Sequence, residues 1–408
     1  MSSFRAVLHS RRAILFALAG APFATFGCKA RAAEAGISDT EIVLGQTNAL
    51  SGPMSMFATV SRIESAYFEM INASGGVNGR KIRLIALDDG FSPPKTVEQT
   101  RKLVEQDGVF AVISSNGTST NSAVQKYLNS KGVPQLFLLS GAGRWNKPKE
   151  FPWSIASLAP YSLEAEIYAQ YLTRAKPKAR VGILALNDDS GKDMVRGFRS
   201  ALGSNAEAMI ASVATYEITD PTVTSQILSL RASGADVLAI FCPQKAAAQA
   251  LRSAYEADWH PLTLLFSISS AIDTVLKVAG PLDRWKGVLS AAVFKMPGDP
   301  LWADDPESTE YANFLAKWYP DGNPTDFNNL YGYIAAQLVV DALQRGGKDL
   351  TRQDVMRQAS SFSNFRAKML LPGIRLSNSP KDFVLFHQMQ MQEFNGEKWL
   401  PVGPLIGG

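Results

Sequence analysis

Residues 41–89 read EIVLGQTNALSGPMSMFATVSRIESAYFEMINASGGVNGRKIRLIALDD, and their grouping decides the fold. EIVLGQT (41–47) is a short apolar run with a β-branched bias, which predicts a strand. From Ala58 to Ala73, Ile63, Ala66, Tyr67, Met70 and Ile71 fall on one stripe, which predicts a helix. SGGVNGR (74–80) stops that helix and turns the chain into a second strand, KIRLIALDD. The same alternation runs outward from this unit. A helix from about Pro94, then VFAVI (109–113), the helix of NSAVQKYL (121–128) and PQLFLL (134–139) repeat it. Strands alternating with helices imply a parallel sheet covered on both faces, an α/β fold.

A second series follows GAGRWNKPKEFPW (141–153). Its strands are ARVGILAL (179–186), MIASVATYEI (209–218), DVLAIF (236–241) and LTLLF (262–266), separated by helices near 161–175, 190–203, 221–233 and 244–258. Two series of similar length predict two similar lobes. After residue 287 the rhythm breaks. GVLSAAVF (287–294) leads to helices near 305–319, 327–345 and 351–360. KDFVLFHQMQMQEFNGEKWLPV (381–402) then alternates and turns at NGE, which predicts a hairpin.

Composition narrows the class. The chain has 408 residues, 46% hydrophobic and 19% charged, as expected for two packed domains. Its formal net charge of +4 is a property of residues 1–32, which hold Arg5, Arg11, Arg12, Lys29 and Arg31 and no acid. The remainder carries 36 basic and 37 acidic side chains, a net charge of −1, so nucleic-acid binding has no compositional support. That first segment is ordered like a signal peptide: a basic start, an apolar stretch from Ala13 to Gly27 and ARA (30–32) before Ala33. It is too short to span a bilayer comfortably. SRRAILF resembles a twin-arginine motif with Ile14 in place of the usual phenylalanine, so the Sec and twin-arginine routes both stay open. Cys28 follows TFG, a poor lipid-attachment context. Cleavage before Ala33 leaves Cys242 alone, without an internal disulfide, and it reads as a small buried hydrophobe.

The usual catalytic motifs do not occur: no H-E-x-x-H, no G-x-S-x-G and no phosphate loop. GAGRWN starts like a dinucleotide fingerprint, but Asn146 replaces its third glycine and prolines follow, which excludes a cofactor there. Asp88–Asp89, Asp188–Asp189 and Asp304–Asp305 lie at strand ends or in loops, where capping is expected. The candidate binding chemistry is polar chain at the C-terminal ends of strands, where open α/β sheets take ligands. SSNGTST (114–120) follows one strand and SGAGRW (140–145) the next. Small hydroxyl residues and glycines before a helix suit an anion.

Read whole, the chain resembles the branched-chain amino acid-type periplasmic binding proteins. LSGP (50–53), INASGGVNGRKI (71–82), DDGFSPPKTVEQTRKLVEQD (88–107), LNDDSGKDMVRGF (186–198), YEITDPTVTSQILSLRASGADVL (216–238) and YGYIAAQLV (331–339) carry the likeness over nearly all of residues 37–408. The resemblance implies a type I periplasmic binding protein: two doubly wound α/β lobes joined by a three-crossover hinge. Lobe 1 would be 37–155 with 288–371, and lobe 2 156–287 with 372–408. Carried over by position, Gly117, Thr118 and Ser119 lie at the first carboxylate-holding junction and Gly141, Ala142 and Gly143 at the second. Phe57 falls where members place an aromatic ring against the ligand. Arg144 adds a cation beside the second loop. Where amino-acid binders have an aromatic this chain has Ser190, and near their ammonium-binding acid it has Ser269, with Asp273 further on. An organic or aromatic acid, or an amide, therefore fits better than leucine. The implied function is a periplasmic, monomeric solute-binding protein without cofactor or metal, closing on its ligand and delivering it to ABC permease and ATPase subunits. A ligand sensor of the same fold and a secreted hydrolase are the rivals; the hydrolase lacks a nucleophile–base pair.

Overall fold

The first sheet is built from β1 (Glu41–Asn48), β2 (Lys81–Asp88), β3 (Ala111–Ile113), β4 (Gln135–Leu138) and β5 (Ser154–Ala156), in a computed structural model that describes residues 34–407. The leader and its expected cleavage before Ala33 lie outside the described residues. Strand order is β2-β1-β3-β4-β5, every pair parallel. Helices α1 (Ala58–Ala73), α2 (Pro93–Glu105) and α3 (Thr118–Lys131) make the crossovers. In β1 every residue but Glu41 is buried, as a strand covered on both faces requires.

The second sheet repeats that winding. After α4 (Tyr161–Ala175) come β6 (Val181–Leu186), α5 (Asp189–Leu202), α6 (Ala206–Met209), β7 (Ile210–Tyr216), α7 (Thr224–Ala232), β8 (Val237–Phe241), α8 (Gln244–Glu256), β9 (Leu262–Leu265), α9 (Lys277–Ala279) and β10 (Leu289–Ala292). The parallel order β7-β6-β8-β9-β10 is the first sheet's order over again. Beyond β10, the antiparallel hairpin of β11 (Gln388–Phe394) and β12 (Trp399–Gly407) extends the sheet to seven strands.

Between β10 and β11 the chain forms α10 (Pro306–Trp318), α11 (Asn328–Gly346) and α12 (Arg352–Ala359). These pack with the first sheet. Gly332 of α11 lies so close to α1 that a Cβ there would sit 2.5 Å from Ile63 Cγ2 and 2.8 Å from the Val60 carbonyl oxygen. Tyr333 meets Tyr67 edge-on, with centroids 5.4 Å apart. One boundary differs from the sequence pattern. Residue 288 onward was expected in the first lobe, yet Leu289–Ala292 pairs with β9 and β11. The apolar run GVLSAAVF supplies the fifth strand of the second winding, and the chain leaves that sheet only after Ala292.

In each sheet the winding reverses direction, between β1 and β3 in the first and between β6 and β8 in the second. Crevices at the carboxyl ends of such strands are where open α/β sheets bind ligands. Hydrogen bonds join the two sides there. Gln244, at the start of α8, donates from Nε2 to Asn328 Oδ1 at the start of α11 (2.9 Å).

Candidate ligand-binding cleft

Both reversal points open onto one cavity. Met54 and Phe57 follow β1, Asn116, Gly117 and Thr118 follow β3, and Leu139 follows β4. From the other sheet come Leu186 at the end of β6, Ser190 after it, Pro243 after β8 and Ile268 after β9. The atom-free space is about 480 Å³. Leu158, Tyr161, Ile268 and Tyr331 also wall a second, inner chamber, lined further by Phe266, Val293, Phe294, Met296, Phe327 and Met389. The outer chamber is polar on one side and the inner one is dominated by apolar side chains.

The polar side is made by SSNGTST. Gly117 has φ +97°, and a Cβ on it would lie 2.5 Å from Phe91 Cε2 and 2.7 Å from Thr120 Oγ1, so only glycine suits the turn. The local hydroxyl and amide groups satisfy one another. Thr118 Oγ1 and Ser140 Oγ share a hydrogen bond of 2.7 Å, Trp145 Nε1 donates to Ser140 Oγ (2.7 Å), and Asn121 Nδ2 donates to the Gly117 carbonyl (2.7 Å). No side chain caps α3, which leaves the N–H groups of its first turn to the cavity side or to solvent. The first turn of α5 is the opposite case. Asp188 Oδ1 accepts from Ser190 N (2.9 Å), Gly191 N (3.0 Å) and Ser190 Oγ (2.5 Å). Its Oδ2 is buried without a partner, and burial pushes the carboxyl above its ordinary range despite those donors.

The expected site residues divide. Phe57, Gly117, Thr118 and Ser190 come together on the outer chamber. Ser119 is half-buried beside them but does not line it. Gly141, Ala142 and Gly143 line a separate cavity of about 320 Å³ with Phe383–Leu385. Two of the three N–H groups have partners within the protein: Gly143 N donates to Asp193 Oδ2 of α5 (3.0 Å) and Ala142 N to Ser140 Oγ (3.3 Å). Arg144 reaches Asp189 (3.5 Å) and Gln125 (3.3 Å), with its guanidinium 5.4 Å from the Trp145 ring centroid. This second junction thus also meets carboxylates of α5, Asp193 and Asp189. Ser269 is buried and donates to the Cys242 carbonyl (2.7 Å), outside both chambers. Asp273 pairs with Lys277 (2.5 Å). Cys242 is buried and its thiol is pushed up by that burial, so it offers no nucleophile.

Glu164 was not anticipated. It stands on the first turn of α4, 2% exposed, among the residues that line the inner chamber. In the sequence it is one more helical glutamate, and its chamber partner Ser267 lies 103 residues away.

These features can be set beside known proteins. The sequence model of the family described as periplasmic binding protein matches residues 41–398. Leu/Ile/Val-binding protein homolog 7 of Brucella abortus (strain 2308) is 22% identical over 327 residues, 76% of this chain and 78% of that one. Among solved structures, a branched chain amino acid ABC transporter from Thermus thermophilus with bound valine superposes with TM-score 0.79 at 18% identity, over 91% of this chain and 98% of that one. The fatty acid ABC transporter substrate-binding protein from Thermomonospora curvata gives TM-score 0.75 at 20% identity, covering 92% and 94%. The overall fold agrees with these structures, and the family model covers most of the chain: it belongs to the periplasmic binding protein family.

Proposed function

We propose that the protein is the monomeric, periplasmic solute-binding component of an ABC importer, and that it holds a small acid bearing an apolar or aromatic group between two lobes. Lobe 1 comprises residues 37–155 with the segment from 293 to 371, and lobe 2 comprises 156–292 with 372–407. The observation that carries this reading is the uncapped first turn of α3 at a cavity where both winding reversals meet. Each helix-end amide stabilises a carboxylate by about 0.3–1 kcal/mol, up to about 2 when partly buried. The apolar group extends into the inner chamber. Contacts to both lobes favour the closed arrangement, which permease and ATPase subunits then receive. The fatty-acid name of the Thermomonospora relative supports an apolar tail.

An α-amino acid is the second reading, favoured by the unpartnered Oδ2 of Asp188, two residues from the lining Ser190, and by the valine in the Thermus relative. Without an ionic partner a buried ammonium costs several kcal/mol, and about 1.4 kcal/mol is tenfold in affinity. Titration calorimetry on two pairs separates the readings: phenylpropanoate against phenylalanine, and 4-methylpentanoate against leucine. The acid is expected to bind tighter in each pair. Tighter binding of both amino acids selects the second reading and assigns the ammonium to Asp188.

A further inference from the structure

The inner chamber holds one carboxyl, Glu164, and no lysine, arginine or histidine. Glu164 Oε1 accepts from Ser267 N (2.6 Å) and Oε2 faces Ser267 Oγ (2.6 Å). The Tyr168 hydroxyl, one turn along α4, lies 2.7 Å from Oε1. That hydroxyl is wedged between β9 and the neighbouring strand β10. It accepts from Ala291 N (3.0 Å) and lies 2.7 Å from the Leu265 carbonyl oxygen.

Tyr168 has one proton and two acceptors within reach. An ionised Glu164 accepts that O–H as a hydrogen bond and leaves the Leu265 carbonyl facing a phenolic oxygen at hydrogen-bond distance. A protonated Glu164 needs no such choice: Tyr168 donates to Leu265, and the carboxyl donates to either the Tyr168 or the Ser267 oxygen. The neutral acid therefore satisfies the cluster better. No opposing charge favours ionisation. Tyr161 comes from the same helix, Tyr331 from α11 and Ser267 and Ser270 from the turn after β9, while β10, β11 and the segment after β10 contribute Ala291, Ala292, Val293, Phe294, Met296 and Met389. Burial pushes the Glu164 carboxyl up to about 7, against the Ser267 and Tyr168 hydrogen bonds.

We infer that Glu164 is the specificity-determining group of the inner chamber: held as a neutral carboxylic acid, it admits an uncharged apolar or aromatic tail and couples ligand capture to uptake of a proton. The inference rests on the acid reading above. An ionised Glu164, already shut off from water, would meet the negative charge of an acid ligand in a lining that holds no cation, so the bound state favours the protonated form. Above the pH at which free Glu164 ionises, binding must take up a proton, and affinity falls by about tenfold per pH unit.

Calorimetry with phenylpropanoate and 4-methylpentanoate, repeated in two buffers of different ionisation enthalpy, measures that proton directly on the unaltered protein. At pH 8 uptake should approach one proton per ligand, and affinity should fall between pH 6 and pH 8. Glu164→Gln, which cannot ionise, should lose the pH dependence of affinity between pH 6 and pH 8 and take up no proton. Hexanoate should bind more tightly than 6-aminohexanoate at pH 6. Binding without proton uptake, the same pH slope in Glu164→Gln, or tighter binding of 6-aminohexanoate overturns this inference alone. If the glutamine variant does not fold, the two-buffer measurement decides. Binding of neither acid at any pH overturns the acid reading and this inference with it.

Discussion

Helices α3 and α5 present their N-terminal turns to the same cavity, through Thr118 and Ser190, and treat the helix dipole in opposite ways. α5 meets its own dipole with Asp188, whose Oδ1 takes two backbone N–H groups. α3 begins at Gly117 with no side-chain cap, and its nearby hydroxyls are tied to Ser140, Asn116 and each other's backbone. Both ends carry a partial positive charge of about half an electron. One has been neutralised from within and the other has not. An incoming carboxylate therefore finds a donor cluster on the first side of the cleft and a like charge on the second. On the acid reading proposed above, the difference would orient the ligand with its head toward α3 and the remainder toward the apolar chamber.

The sharpest way to break that assignment is to give α3 the residue type that α5 has. Thr118→Asp places a carboxylate at the α3 N-terminus. The lost Thr118–Ser140 hydrogen bond costs about 1 kcal/mol, and a new acidic group near the helix end offsets much of it. The melting temperature should therefore stay close to that of the unaltered protein. Affinity for phenylpropanoate or 4-methylpentanoate should fall by at least about 100-fold, since a fixed carboxylate then occupies the seat and repels the ligand's. Calorimetry with undiminished affinity would place the acid head elsewhere.

The contrast extends to a buried carboxyl on each side. Glu164 has three hydrogen-bonding groups around it, whereas Glu64 of α1 meets Gln46 Nε2 (2.6 Å). Around it Glu64 Oε1, Gln46 Oε1 and Ser114 Oγ are buried without a hydrogen bond. Burial pushes Glu64 up from 4.5 to about 8. The folded protein thus holds a proton that the unfolded chain has released over that pH window. Stability is then fully present below about pH 4.5 and declines as pH rises toward 8, by at most about 1.4 kcal/mol per unit. Glu64→Gln removes the ionisable group and should raise stability at pH 7.5 by about 1–3 kcal/mol, a gain of a few degrees in melting temperature. Chemical denaturation at pH 5.5 and 7.5 checks both signs. A slope unchanged by the substitution would show that Glu64 is not the group responsible.

What was legible in the sequence follows the same division between local and long-range causes. The strands and helices of both windings stand in periodicity and breakers: the α4 range, Tyr161–Ala175, coincides with the stripe read over 161–175, and α8 to within two residues at its end. The α3 turn was legible because Gly117 and its hydroxyl neighbours follow an apolar strand. Asp188 and Asp305 act as caps, as their positions implied. Pairings between distant segments left no local signal. Nothing in GVLSAAVF says which sheet its backbone completes. Glu164 looks like a solvent-facing helical residue until Ser267 is brought beside it. Gly141–Gly143 carried the composition of an anion loop, but only the approach of α5 determines that Asp193 reaches Gly143.

That approach supplies the smallest test of the comparison. Gly143 N–Asp193 and Arg144–Asp189 link the second junction of the first side to α5, and the Arg144–Asp189 pair is roughly 40–50% exposed. An exposed ion pair is worth about 0.2–1 kcal/mol and weakens with salt. The backbone bond to Asp193, which is 18% exposed, adds a comparable amount. If these contacts hold the cleft closed, Asp193→Ala shifts the equilibrium toward an open form. Small-angle scattering of the ligand-free variant should then give a larger radius of gyration, which saturating ligand reverses. Affinity should fall only about two- to fivefold, because the α3 seat is untouched and the cost is that of closure alone. A loss as large as that expected for Thr118→Asp would make the second junction part of the ligand seat, with Asp193 standing in it only when the ligand is absent.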